Sequence, residues 1–360
     1  MLRKTSLHAN HTALGAKMGE FAGYDMPLFY KEGVLKEHEW TRNSCGLFDV
    51  SHMGQAMIEG PGARAFVEKI TPSSYEKLPL SQTKYTVLTN EQGGIIDDLM
   101  VTKTGDDSFH FVLNAGCKDK DTAWIKQHLP KDIKYTGFDD WSLLALQGPQ
   151  AEKVLKKIGY DMSGLSYMGL WCRDDYKMFI SRLGYTGEDG FEISVPDSDA
   201  PALWEKLLSD EAVKPIGLAA RDSLRLDMGY CLYGHDINDT TTPLEADLSW
   251  VVGKNNRGFI GAENALKTPA RKRVGIRLTA PGVAREGAVL KNESGKVIGT
   301  LTSGGFSPSL KQAIGQGYVE IASAAPGTKI FVSVRDRDIA AEIATMPFVP
   351  AKTKSMKKAA

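Results

Sequence analysis

The stretch Gly184-Tyr185-Thr186-Gly187-Glu188-Asp189-Gly190-Phe191-Glu192-Ile193 constrains the fold more than any other in this chain. Three glycines and two acids within seven positions form a turn that neither a helix nor a continuous strand absorbs. The chain then alternates, with Phe191, Ile193 and Val195 on one face of a strand and Glu192 and Ser194 on the other. A carboxylate is thereby set at a fixed height just past a sharp backbone reversal. The plain alternative is a hairpin whose Glu192 is solvated, as most strand glutamates are.

At 360 residues the chain is long enough for two or three domains. Lys+Arg and Asp+Glu are equal at 44 each, so nothing in the charge balance points to nucleic acid or an anionic membrane as partner. Cys45, Cys117, Cys172 and Cys231 are far apart and form no C-x-x-C pair, which argues against a disulfide framework or a zinc site. His8 and His11 are three residues apart, but their polar flanks predict a solvated turn, so no metal is expected. No apolar run is long enough to span a membrane, and Arg3 and Lys4 precede no apolar core of a signal peptide. These features predict a soluble protein of a reducing compartment.

Texture divides the chain into three regions. Residues 1–50 mix a short amphipathic helix with the turn Phe21-Ala22-Gly23-Tyr24, and residues 141–250 continue with strands and helices. Residues 51–140 predict a helix around Gly62–Ile70 and a meander of three strands, Lys84–Asn90, Ile95–Thr102 and Phe109–Ala115. From 271 to 350, short strands separated by turns such as Asn292-Glu293-Ser294-Gly295 predict a small barrel or sandwich, with Lys267–Lys272 as the boundary. The lysine-rich residues 351–360 read as a flexible tail.

Within the meander, alternation puts Asp98, Met100 and Thr102 on one face and Asp97, Leu99 and Val101 on the other. Tyr85, Val87 and Thr89 share a face of the preceding strand, and His110, Val112 and Asn114 share one in the following strand. If these faces coincide, Tyr85, Asp98 and Asn114 form one polar cluster; otherwise the Asp pair closes a hairpin and is solvated. Ile216 to Tyr230 reads as a helix opened by Gly217, with Ala220, Leu224 and Met228 as its apolar stripe. Arg221 falls in its first turn, where a cation opposes the helix dipole, which suggests another task for it. Met53 and Trp250 are apolar residues among polar neighbours, and such residues taken alone are more often core than ligand wall.

Taken in order, these segments resemble the glycine cleavage system T-protein family nearly from end to end. The resemblance is carried by Phe21-Ala22-Gly23-Tyr24-Asp25-Met26-Pro27, Gly46-Leu47-Phe48-Asp49-Val50-Ser51-His52-Met53-Gly54 and Gly93-Gly94-Ile95-Ile96-Asp97-Asp98-Leu99. It continues through Asn114-Ala115-Gly116, Gln147-Gly148-Pro149, the opening Gly-Tyr-Thr-Gly stretch and Ala220-Arg221-Asp222-Ser223-Leu224-Arg225-Leu226. Ser303-Gly304-Gly305-Phe306-Ser307-Pro308 and Pro347-Phe348-Val349-Pro350 complete it.

The resemblance implies an α+β fold of three domains, a cloverleaf around a central folate funnel, with mixed and antiparallel sheets and a small C-terminal β-barrel. It implies residues 1–50 plus 141–250 as one discontinuous domain, 51–140 as a second and 271–350 as the barrel. It further implies transfer of an aminomethyl carbon from dihydrolipoyl H protein to tetrahydrofolate, with release of ammonia and formation of methylenetetrahydrofolate. Asp98 matches the family's catalytic carboxylate, with positioning and charge stabilisation favoured over full proton transfer. Glu192 is expected to grip the N–H edge of the pterin and Arg221 to supply the cation. Tyr85, Tyr185, Tyr230, Met53 and Trp250 are expected as walls, and Asn114 as hydrogen-bonding support. After Pro350 the chain offers Lys352 and Lys354 where relatives often carry an Arg or Tyr near the folate. A folate-dependent demethylase of a small methylated amine or sulfonium donor shares the fold and stands as the alternative, as does a non-enzymatic folate binder serving iron–sulfur assembly. Too few residues precede the first motif for a transit peptide, so a bacterial cytoplasm is expected, although a processed chain of the mitochondrial matrix would look the same.

Overall fold

A computed structural model describes residues 1–355 except Tyr176 and Asp336. Two sheets and a barrel account for most of the regular structure. The first sheet has six strands in the order Leu170–Cys172, Phe179–Ser181, Gly190–Pro196, Trp141–Gln147, Cys45–Asp49 and Val213–Pro215. All its pairings are antiparallel except the last, which is parallel. It joins residues from before position 50 with residues beyond 140. Leu47, Leu146, Phe191, Ile193 and Val195 pack from this sheet against Trp204, Leu203 and Leu207 of the helix Ala200–Leu208.

The second sheet has five strands in the order Gln82–Thr89, Ile95–Gly105, Ser108–Leu113, Gly54–Glu59 and Lys134–Gly137. Its core sets Ile58, Val101, Phe109 and Phe111 against Phe66, Val67 and Ile70 of the helix Ala63–Ile70. The three meander strands lie within two or three residues of their expected bounds, the usual uncertainty of a strand end. Their register settles the open question about faces. Val87 pairs with Asp98, Tyr85 with Met100, and Met100 in turn with Val112. Directly paired residues project to the same side, so the three faces coincide.

Residues 271–344 form a closed six-stranded barrel, beginning at Arg271 where the basic, proline-containing boundary was expected. Phe48, Val50, Leu143 and Ala145 of the first sheet meet Val112 of the second and Ile216, Ala220 and Leu224 of the segment leading into and through the helix Leu218–Asp227. That shared apolar cluster lies between the two sheets. Among the described residues, no helix is long and apolar enough to cross a membrane.

Two sequence readings differ from the structure. His11 is fully buried rather than solvated; its ring nitrogens meet the Asp49 carboxylate at 2.9 Å and the Tyr30 hydroxyl at 2.9 Å. Leu7 and His11 are one helical turn apart, so the face that buries Leu7 buries His11 too. The segment Ala351–Ser355 also departs from a free tail. The Lys352 amide donates to the Gly187 carbonyl at 2.8 Å, and its Nζ reaches Glu188 at 3.1 Å. The Lys354 carbonyl accepts from the Tyr167 amide at 2.9 Å. The rest of the expected tail, 356–360, lies outside the described residues.

Candidate active site

Asp98 projects from the long strand Ile95–Gly105, and its alternation partner Asp97 projects oppositely. Asn114 follows immediately after the strand Ser108–Leu113 and holds both acids. Its Nδ2 donates to Asp98 Oδ1 at 2.9 Å, to the Asp98 carbonyl at 2.8 Å and to Asp97 Oδ1 at 3.0 Å. Its backbone N–H donates to Asp97 Oδ2 at 3.2 Å. Burial raises the Asp98 carboxyl and the Asp97 charge raises it further; hydrogen bonds from Tyr85, the Asp98 backbone and Asn114 restrain the rise, leaving it at about 7. A carboxyl poised there exchanges a proton at neutral pH.

Glu192 comes from the other sheet, on the strand that leaves the glycine-rich turn. The helix Leu218–Asp227 brings Arg221 to it, with Nη2 4.0 Å from Glu192 Oε1. Burial pushes the Glu192 carboxyl up, and the guanidinium opposes that shift. Burial likewise depresses Arg221 while Glu192 restores it. At 4.0 Å the pair is an ion pair longer than a hydrogen bond, so both groups retain donor and acceptor capacity for a ligand. Arg221 Nη1 is buried with no partner among the described residues, a cationic donor left for something else to satisfy.

Tyr185, in the glycine-rich turn, joins the two halves. Its ring lies 4.9 Å beneath the Arg221 guanidinium and stacks on Tyr230 at 5.7 Å and 21°. The charge of Asp98 adds to the burial that raises the Tyr185 phenol, while Arg221, the ion-pair partner of Glu192, lies over the same ring. Its hydroxyl donates to the Cys231 carbonyl. The turn thus anchors an aromatic plate rather than merely reversing the chain.

The other expected residues are placed less uniformly. Trp250 stacks on Tyr85 at 5.4 Å and 29° but is 64% exposed, so it stands at an outer edge and not in an enclosed wall. Met53 packs on the apolar cluster between the sheets. It also lines a cavity of about 310 Å³ with Arg3, Gln55, Lys118 and Trp141, which none of the other expected residues line. Sequence reasoning overlooked Tyr167, which lies against Tyr230 and within the field of Glu192. Nothing local marks it, because it belongs to an irregular stretch with no period to read. It also overlooked Asp121, whose signal was available: Cys117, Asp121 and Ile125 recur every four residues along a helix face, and all three are buried. Among the described residues, no group of three or more His, Cys, Asp or Glu side chains is arranged to hold a metal ion.

The cluster brings together stacked aromatics, a buried cation whose Nη1 has no partner among the described residues, and two carboxyls in different electrostatic settings. Comparison with known proteins shows the family. Residues 7–256 match the GCVT N-terminal domain family and residues 271–350 the glycine cleavage T-protein C-terminal barrel domain. The mitochondrial aminomethyltransferase of Flaveria trinervia is 44% identical, over 98% of this chain and 90% of its own length. The aminomethyltransferase of Halothermothrix orenii is 40% identical, over 97% of this chain and 100% of its own length. The crystal structure of glycine cleavage system aminomethyltransferase T from Bartonella henselae superposes with a TM-score of 0.95 at 43% identity, covering 99% of this chain and 100% of that one.

Proposed function

Because the chain belongs to the glycine cleavage T-protein family of aminomethyltransferases, we propose that it moves the aminomethyl carbon of a lipoyl-bound donor, carried by H protein, onto tetrahydrofolate. The observation that supports this most directly is the pairing of Asp98 and Glu192 around Tyr185, one carboxyl beside an anion and the other beside a cation.

Glu192 accepts the neighbouring N–H donors of the pterin edge, and Arg221, with its orphaned Nη1, supplies donors to the ring's acceptor atoms. Tyr185 and Tyr230 stack as a plate for the flat heterocycle, and Tyr85 with Trp250 lines the way out. Asn114 fixes Asp98 through Oδ1, and Tyr85 adds a second hydrogen bond that orients the carboxyl for the attacking amine. In the reaction, the donor carbon loses its bonds to ammonia and to sulfur and gains two bonds to folate nitrogens. The two protons released by those nitrogens leave on the thiol and on ammonia. Asp98 orients the amine, stabilises positive charge at the iminium-like carbon and takes a proton in passing.

The test is an assay with aminomethyl-loaded H protein and tetrahydrofolate that follows ammonia. Release dependent on both substrates is the expected result. Turnover instead with a free methylated amine or sulfonium compound, and none with H protein, would replace this reading with a demethylase.

A further inference from the structure

Asp121, in the helix Lys118–His128, is fully buried, and neither of its carboxyl oxygens receives a hydrogen bond from any N–H or hydroxyl among the described residues. It lies within hydrogen-bonding reach of Asp97, which is also fully buried. The groups facing this pair come from several elements. Asp98 is next to Asp97 on its strand; Cys117 and Lys120 come from the start of the helix; Tyr135 and Tyr233 come from neighbouring segments. Lys120 is the nearby cation, but its Nζ is committed outward, to the Tyr233 hydroxyl at 2.7 Å and to Asp239 at 3.4 Å.

Two acids in contact without a donor or cation between them hold one proton in common. The geometry says which carries it. Both Asp97 oxygens already accept hydrogen bonds from Asn114, the arrangement of an anion, whereas Asp121 has only its own O–H to offer. We infer that Asp121 is a positioning residue: as a neutral acid it donates a hydrogen bond to Asp97, and the Asp97 anion so fixed holds Asn114 in the orientation that aims Asp98. This inference rests on the transferase reading above. Burial and the Asp97 charge push the Asp121 carboxyl up to about 11, consistent with a proton retained across the physiological range. The Asp97 charge in turn contributes to keeping Asp98 near neutrality.

The experiment compares Asp121→Asn, a permanent neutral donor of the same shape, with Asp121→Ala. The asparagine variant should keep kcat within about threefold of wild type and the same acidic limb of the pH–kcat profile. In the alanine variant Asp97 must take up the proton itself. Its kcat should fall about tenfold with the KM for tetrahydrofolate little changed, and the acidic limb should move down by more than about half a pH unit. A role in folding alone would lower the yield of active enzyme without moving that limb. The inference is overturned if Asp121→Asn loses as much as Asp121→Ala, or if Asp121→Ala retains the wild-type limb.

Melting curves of Asp121→Asn and wild type test the proton directly and need neither turnover nor a folded alanine variant. An acid that stays protonated when folded and ionises when unfolded costs stability increasingly as pH rises above its unfolded value. The advantage of the asparagine variant in melting temperature should therefore widen from pH 5 to pH 9, and a gap independent of pH overturns the inference. An inactive wild type in the H-protein assay would instead count against the transferase reading alone.

Discussion

Asp98 and Glu192 are both acids in low-dielectric surroundings, yet they are biased by neighbours of opposite sign. Arg221 holds Glu192 toward its charged form, which suits an acceptor of pterin N–H groups; Asp97 drives Asp98 toward its neutral form, which suits a group that exchanges protons. Asp98→Asn should leave tetrahydrofolate affinity nearly unchanged while lowering turnover at least about tenfold, measured by paired calorimetry and ammonia release. An unchanged kcat would remove Asp98 from the reaction. Glu192→Gln should act the other way, weakening folate binding by about 1–3 kcal/mol with a smaller effect at saturation. On the proposed role of Asp98 as an anion, kcat/KM of the wild type should rise with pH through about 7 and be lost below it.

At the scale of elements, the glycine-rich turn does more than reverse the chain. Gly187 adopts φ +76°, and a Cβ there would meet Met228 Sδ at 2.2 Å. Lys352 is bonded to the same turn through its backbone and side chain, so the turn is closed from outside as well. Gly187→Ala combines an unfavourable left-handed conformation with overpacking. It should cost at least about 2 kcal/mol in urea unfolding and should weaken folate binding through displaced Tyr185. The three meander strands are similarly legible, because alternation sorts Asp97 from Asp98. The helix Lys118–His128 was harder to read: its KDKD run looks like a solvated face, and only the spacing from Cys117 to Ile125 reveals that Asp121 points inward.

At the scale of the whole molecule, two buried contacts fix the parts. Asp236 accepts from Arg225 Nη1 at 2.8 Å, from Gln316 Nε2 at 2.8 Å and from Thr302 Oγ1 at 2.5 Å, tying the barrel to the helix that carries Arg221. Between the two sheets, His110 stacks on Phe179 at 5.3 Å and 11°, with its Nε2 unpartnered. Burial depresses the His110 imidazole to about 4. A group with a depressed folded value stays neutral when folded but protonates when unfolded, so stability is lost as pH falls from about 6.5 toward 4. His110→Phe removes that term. Urea unfolding at pH 7 and pH 4.5 should show the variant losing less stability on acidification, by on the order of 2 kcal/mol.

What the sequence determined by itself was local and periodic: the turn before Glu192, the alternating faces of the meander, the helix opened by Gly217 and the barrel's starting point. These depend on backbone conformation and on periods of two or about four residues, which neighbours in sequence suffice to set. The tertiary structure decided which faces share a site. Glu192 and Asp98 lie on different sheets, with Asp98 acting on the Tyr185 ring and Arg221 linking that ring to Glu192, while the fate of Asp97 and Asp121 depends on the packing of a strand against a helix. Burial and the sign of the nearest charge set the behaviour of an acid, and neither is defined until distant segments pack.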